Sequence, residues 1–435
     1  MRDYFIRRLL LVPLTLFGLT LLVFLVTRFA PGGPLETALM AGTLGQGGES
    51  VRGARESKGG SGIDDQAKEA LAAYYGYDQS AVRAYFTWLG VLPRELNRVH
   101  ESFPDATQET VEVSIPGTTT TVRVSRPGDG AMEVITGDPS VIEGWKVRVE
   151  SAEEVGEKWR RLNRGQEEPA EHLPRVALFQ PRFAGVFQGY LGESTRYNEP
   201  VWSMMVERFP VSIYYGVITL ILTYAVCIPL GILKAIKHRT VLDTASSILV
   251  FVGYAIPGYV LGALMVVYLG SRLGWFPIMD FVGEDFDTLS WWGKIKDLVH
   301  HSVLPLICYM VGSFAFLTML MKNNLMDNLA ADYVRTAAAK GVPYRTAVFR
   351  HAFRNSIIPI ATTFGQNITL FVSGSLLIEK IFDIDGFGLL SYNAVLERDY
   401  TVVMGTLSFA ALLMLLGNIL SDVLVAMVDP RVSFK

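Results

Sequence analysis

The sequence predicts an all-α polytopic membrane protein with six transmembrane helices and a small external α+β insertion between the first helix and the second. Three observations predict it: six apolar stretches of about 20 residues, a crowding of positive residues in alternate short loops, and one long polar segment with a different periodicity. Half of the 435 residues are hydrophobic, mean hydropathy is +0.30, and the formal net charge is −3. A chain with so little charge bias is not expected to bind nucleic acid.

The apolar stretches lie at residues 9–30, 211–233, 245–269, 302–321, 359–378 and 402–428. Each is read as helix, because a lipid core gives a free backbone amide no partner. Arg7 and Arg8 before the first stretch would suit a signal peptide, but its apolar run is longer than the roughly 7–15 residues of that element and no small-residue cleavage site follows. It is read as an uncleaved helix. Positive residues are retained on the cytoplasmic side. With the N-terminus inside, that side carries Arg2, Arg7, Arg8, Lys234, Lys237, Arg239, Lys322, Arg335, Lys340, Arg345, Arg350, Arg354, Arg431 and Lys435, against Arg272, Lys294, Lys296, Lys380 and Arg398 in the opposite short loops. Both termini are therefore expected in the cytoplasm.

The chain divides into an N-terminal piece (1–30), an external region (31–200) and a membrane core (201–435). The external region holds 25 acidic and 18 basic residues and no run able to span. Residues 45–62, rich in Gly, Ser and charge, read as a loop. Helical spacing follows over 65–89, with Leu71, Tyr75, Val82, Tyr85, Phe86 and Leu89 on recurring faces. Between 110 and 149 the period falls to two: Val111, Val113 and Ile115, then Val122 and Val124, alternate with polar residues around Pro116-Gly117, and a β meander is expected. Ser151 with Glu154 forms a capping box that opens a helix ending near Gly165. The β-rich part is placed at about 92–184. Its acidic residues Glu153, Glu154, Glu157, Glu167, Glu168 and Glu171 read as a solvated face or as a charge that steers a basic partner.

Enzymatic chemistry is not in evidence. No Lys precedes Ser or Thr, so no P-loop is present, and the six His residues form no metal-binding spacing. No metal or cofactor is expected. His300–His301 reads as an interfacial pair and Gly386-Phe387-Gly388 as a tight turn. Cys227 and Cys308 lie inside apolar runs, which excludes a disulfide scaffold. A membrane hydrolase fails for want of a nucleophile–base pair. A receptor with an external sensing domain is the alternative, but the longest cytoplasmic segment is about 35 residues, with no room for an output domain.

Residues 322–356 carry the most information. A helix over 328–340 contains Ala337, Ala338 and Ala339 and stops at Gly341; Pro343 then starts a second helix, with Val348, Phe349, Ala352 and Phe353 opposite Arg345, Arg350 and Arg354. Such a pair is either a docking knob or two interfacial helices whose arginines meet lipid headgroups. In the spans, Pro257 with Gly258-x-x-x-Gly262 permits a kink and close packing, while Gln366, Asn367, Asn418 and Asp422 are intramembrane polar groups.

The stretch Asp332–Gly341 (DYVRTAAAKG) resembles the "EAA" coupling loop of ATP-binding-cassette (ABC) importer permeases. Similar blocks occur in order elsewhere: Tyr4–Leu10, Ala30–Pro34, Gly253–Pro257, Ser373–Glu379, Gly386–Leu390, Arg398–Tyr400 and Asp429–Arg431 resemble the first permease subunit of dipeptide and oligopeptide importers, most nearly the subtype that takes up peptides and microcin C. Arg335 and Thr336 replace the Glu and first Ala of the general motif, as peptide permeases do. The resemblance implies an inner-membrane permease that forms half of a peptide translocation pathway and does not itself hydrolyse ATP. It implies a second permease subunit, two ABC ATPase chains and an external binding protein as partners, besides peptide substrate and membrane lipid. It also implies ATPase coupling through Tyr333, Arg335, Thr336, Ala337, Ala338, Ala339, Lys340 and Gly341, and a pathway lined by Pro257, Gly258, Gln366, Asn367 and Asp422. It implies nothing for the β-rich insertion.

Overall fold

The computed structural model describes residues 2–29, 69, 72–105, 109–126, 132–162, 168–169, 171–372 and 374–428. The loop expected at 45–62, the blocks at 30–34 and 429–431, and Glu167 lie outside the described residues. Two compact units are formed, one of 1–23, 203–397 and 402–435, the other of 24–202 and 398–401.

The first unit is helical. Among the described residues four helices are long and apolar enough to cross a membrane: α1 (Arg2–Phe29), α4 (Val201–Ile236), α7 (Trp291–Ala330) and α12 (Tyr400–Val428), with α5 (Val241–Ala255) and α6 (Gly258–Met265), the latter continued by a π-turn over Val266–Arg272, making a fifth if they count as one span. The expected third span differs from a kinked single helix. Ile256 takes an extended conformation before Pro257, whose ring cannot accept the helical path, and the two parts meet at 92°. The expected fifth span is also shorter than the stretch read from hydropathy. α9 (Ile358–Val372) is 15 residues long, and a new helix, α10 (Leu376–Phe382), begins after Gly374, which sits at φ +75°. Hydropathy could not detect this break because both sides of it are apolar. α11 (Phe387–Leu396) completes the set.

Close packing fixes these helices. A Cβ on Gly365 of α9 would lie 1.9 Å from the Gly417 carbonyl of α12, and the Ser421 hydroxyl donates to the Ala361 and Thr362 carbonyls at 3.1 and 2.6 Å. Cys227 and Cys308 are free and buried.

The second unit contains two antiparallel three-stranded sheets. One has the order β1 (Arg94–Ser102), β6 (Arg175–Arg182), β5 (Lys146–Glu150); the other is the meander β2 (Thr110–Ser114), β3 (Thr121–Ser125), β4 (Met132–Thr136). The register Val111 opposite Val124 and Val113 opposite Val122 puts all four valines into a core with Phe103, Ile115, Trp145, Val176 and Leu178. The capping box opens α3 (Ala152–Leu162) as read: the Ser151 amide donates to Glu154 at 2.9 Å and the Glu154 amide to the Ser151 hydroxyl at 3.2 Å. The helical spacing of 65–89 is divided by a turn at Gly76–Gln79 from α2 (Ala81–Leu89). Buried ion pairs replace apolar contacts elsewhere in this unit. Arg98 bridges Asp78 and Glu95, and Arg175 bridges Glu69 and Glu150. Burial alone would raise the Glu150 carboxyl, but the Lys158 ammonium and the Arg175 guanidinium bring it down to about 2. Burial and then the Arg175 charge push His100 down to about 4.

Candidate functional site

At the end of α7 the sequence builds a projecting helix on a buried base. Ala331 is extended, which ends the 40-residue α7, and α8 (Asp332–Ala339) starts at once. The Thr336 hydroxyl donates back to the Asp332 carbonyl at 2.8 Å, so it is satisfied within the helix. α8 closes at Gly341, φ +84°, where the Gly341 amide donates to the Ala338 carbonyl and the Val342 amide to the Ala337 carbonyl. A residue with a Cβ would be strained there. The chain then forms a helical run of Tyr344–Thr346, a π-turn at Ala347–Ala352 and Phe353–Ser356.

Val334, Ala347, Val348 and Ala352 join Leu317, Met321 and Leu325 of α7, Cys227 and Ala235 of α4, and Ile360 of α9 in one core. The eight residues expected to act together therefore divide. Ala337 is buried, whereas Tyr333, Arg335, Thr336, Ala338, Ala339, Lys340 and Gly341 are exposed. Tyr344 and Phe349 extend this outer surface with exposed rings. A short helix with small tops, rigidly based and flanked by aromatic rings, can sit in a groove of a partner.

The residues expected along a pathway belong to separate helix contacts. Pro257 is exposed at the 92° bend. Gly258 packs on α7, since a Cβ there would lie 2.6 Å from the Cys308 carbonyl, and Gly262 lies against Phe382 and the Cys308 sulfur. Close packing accounts for this glycine pair. Asp422 is half-buried on α12 beside Ser421, and only the helical backbone of Gln366 and Asn367 falls within the described residues.

Two charged centres went unread in the sequence. In the first, Asp243 accepts from Lys322 at 2.7 and 2.9 Å, from the Arg239 amide at 3.1 Å, and faces the Lys234 ammonium at 3.2 Å. Lys234 also donates to Ser246 and Ser247 and is fully buried. This joins α4, α5 and α7 just ahead of α8. In the second, the buried Glu379 carboxylate accepts from the Tyr309 hydroxyl at 3.1 Å and the Leu389 amide at 2.7 Å. Gly374, Gly386 and Gly388 enclose it, each with a would-be Cβ 2.1 to 2.9 Å from its oxygens. Gly386-Phe387-Gly388, read as a tight turn, is instead the start of α11, with Gly386 at its N-cap, and together with Gly374–Glu379 it forms one cage; the shared glycine–acid composition was the available signal. His300 and His301 bond to the Trp275 and Asp297 carbonyls, and no metal-binding group occurs among the described residues.

Comparison with known proteins fits this architecture. The family model of the binding-protein-dependent transport system inner membrane component matches residues 227–434. The inner membrane ABC transporter permease protein YejB of Escherichia coli O157:H7 is 30% identical over 456 aligned positions that cover the whole of both chains. The peptidoglycan transport system permease protein YejB of Agrobacterium fabrum is 39% identical over 261 residues, 58% of this chain and 72% of its own. The oligopeptide transport system permease protein AppB of Bacillus subtilis is 33% identical over 262 residues, 60% of this chain and 81% of its own. None of these relatives favours the receptor alternative. With a full-length relative at this identity, the chain belongs to the family of binding-protein-dependent transport system inner membrane components, as a multi-pass permease of an ABC transporter whose relatives include oligopeptide permeases.

Proposed function

We propose that this chain forms half of a translocation pathway for peptides or peptide-like compounds, peptidoglycan fragments and microcin C among them, and that two separate ATPase chains drive it by docking on α8. A second permease would complete the pathway and an external binding protein would deliver the cargo. The observation that carries the reading is the division of α8: Val334 is sunk in the core shared with α4, α7 and α9 and Ala337 is buried on the same side, while Ala338, Ala339, Lys340 and Gly341 face outward. Force applied to the outer face is delivered to the packed helices instead of being lost in a loop.

In the same reading both termini are cytoplasmic and six passes are made, the bent pair α5–α6 serving as the third and α9 as the fifth. The unit containing the two sheets is then external. Tyr333, Arg335 and Thr336 line the ATPase contact, and Pro257, Gly258, Gln366, Asn367 and Asp422 remain candidates for the pathway. The test is ATPase activity of the reconstituted complex with binding protein. Stimulation by peptide is expected, and its absence in a complex that assembles and hydrolyses ATP would refute peptide import.

A further inference from the structure

In the second unit, an apolar patch lies beside the end of α1. α1 contributes a 21-residue apolar run, Leu9–Phe29, about 31 Å long at the helical rise, which matches the thickness of a bilayer core. Its side chains Leu22, Val26 and Phe29 are 59%, 60% and 72% exposed, as lipid-facing residues are. Phe24 lies on the other face, where Thr20 and Thr27 are buried as well. It is buried because Tyr85 and Trp88 of α2 pack on its ring, with centroids 5.3 and 6.2 Å away. Phe24 is five residues from the helix end, so α2 meets α1 roughly 7 Å inside it.

A second tie fixes the level of the preceding turn. The Arg28 guanidinium donates to the Gly76 and Gln79 carbonyls at 3.0 to 3.1 Å and lies over the Tyr77 ring at 4.8 Å. An arginine one residue from the end of a span belongs at the headgroup level. The segment from Gly76 to Leu89 is therefore held at the boundary between headgroups and chains, the depth of roughly 5–10 Å at which interfacial helices lie.

The outer residues suit that position. Val82 of α2 is 68% exposed, and Gly90 at the end of α2 meets Gly185 so closely that a Cβ on Gly185 would sit 2.3 Å from the Gly90 amide. Val91, Leu92, Phe183 and Phe187 flank this crossing, all exposed. We propose that α2 and the turn around Gly185 are a foot of the sheet-bearing unit, immersed in the lipid interface through Val82, Val91, Leu92, Phe183 and Phe187. The patch is carried by a helix packed directly on Phe24 and by the crossing at its end, at the level that Arg28 marks, and this favours lipid over a protein as its occupant.

The test uses the full chain in nanodiscs of phosphatidylethanolamine and phosphatidylglycerol, with bimane on Leu92→Cys or Phe187→Cys and on the control Ser125→Cys at the end of β3. The native cysteines are buried and changed to serine. Lipid carrying a nitroxide near the headgroup should quench the two foot positions several-fold more than the control, with iodide showing the opposite order. Equal quenching of all three by iodide would overturn the proposal. So would shielding that appears only when a soluble partner protein is added, since the patch would then be a protein interface. Val82→Cys gives an independent reading should either foot variant fail to reach the membrane.

Discussion

Replacing Asp243 by Asn tests the buried charge centre most directly, because the sign of the change can be worked out. In the native protein one carboxylate faces two ammonium groups, Lys322 at 2.7 Å and Lys234 at 3.2 Å, and all three residues are at most 7% exposed. The carboxylate and the two ammonium groups together carry +1, and the His238 imidazole lies 3.3 Å from the same carboxylate. Asp243→Asn raises that sum to +2 with no anion, so two buried cations lose their partner at once. Breaking a buried pair costs about 3–5 kcal/mol, and two ammonium groups sharing the acceptor place this variant at the upper end. Lys322→Met leaves a neutral Lys234–Asp243 pair that keeps the Arg239 amide and should cost only about 1–3 kcal/mol. The assay is limited trypsin cleavage of the solubilised chain at Lys237 and Arg239, in the exposed loop beside the centre. Cleavage should quicken far more in Asp243→Asn than in Lys322→Met. Equal rates, or faster cleavage of Lys322→Met, would refute the reasoning.

Four other outcomes are expected. Ala338→Trp, on the outer face of α8, should abolish transport while the chain stays folded in the membrane, whereas Ala337→Trp should instead lower its thermal stability by about 1–3 kcal/mol through overpacking; uptake and melting measured together separate the two. Gly374→Ala meets both a positive φ and the Glu379 carboxylate, so folded yield by size-exclusion profile should fall sharply, with a cost of about 2 kcal/mol or more. His100 is held neutral with its folded pKa near 4 against 6.5 unfolded; the unfolded chain binds the extra proton first, so the stability of the sheet-bearing unit is whole above pH 6.5 and declines by up to about 3 kcal/mol as pH falls to 4, a loss that hydrogen exchange should register and His100→Gln should reduce. A cysteine at Ser125 should react with an impermeant reagent from outside and one at Arg345 should not, the reverse labelling being fatal to the orientation.

How much could be read in advance depended on whether the signal was local. The meander β2–β3–β4 and the capping box at Ser151 are short-range patterns of period two and of spacing three, and both stand as read. β1 went unread because Glu95 and Arg98 occupy it as members of buried ion pairs, so its burial leaves no apolar alternation. The bend before Pro257 was visible as a kink, but its 92° extent depends on α7 and α10 packing on Gly258 and Gly262. In the candidate site the glycine stop of α8 was legible but its start was not: residues 328–330, read as part of it, complete α7 before the extended Ala331, and the burial of Val334 depends on a core drawn from residues far apart in the chain. Lys234, Asp243 and Lys322 are separated by 9 and 79 residues, and no pattern in a single sequence joins them.

α7 is also a beam. Lys322, which holds Asp243, follows Tyr309, which holds the Glu379 cage, by 13 helical steps with no proline, a stiff length of about 20 Å. A tilt of about 5° pivoting at Lys322 carries the Tyr309 level sideways by nearly 2 Å, using that same helical rise. A hydrogen bond of 3.1 Å does not survive such a displacement unless α10 moves with it. Small rotations at the α8 end of the beam are thereby turned into a choice at its far end, between carrying the glycine cage along and letting go of its carboxylate.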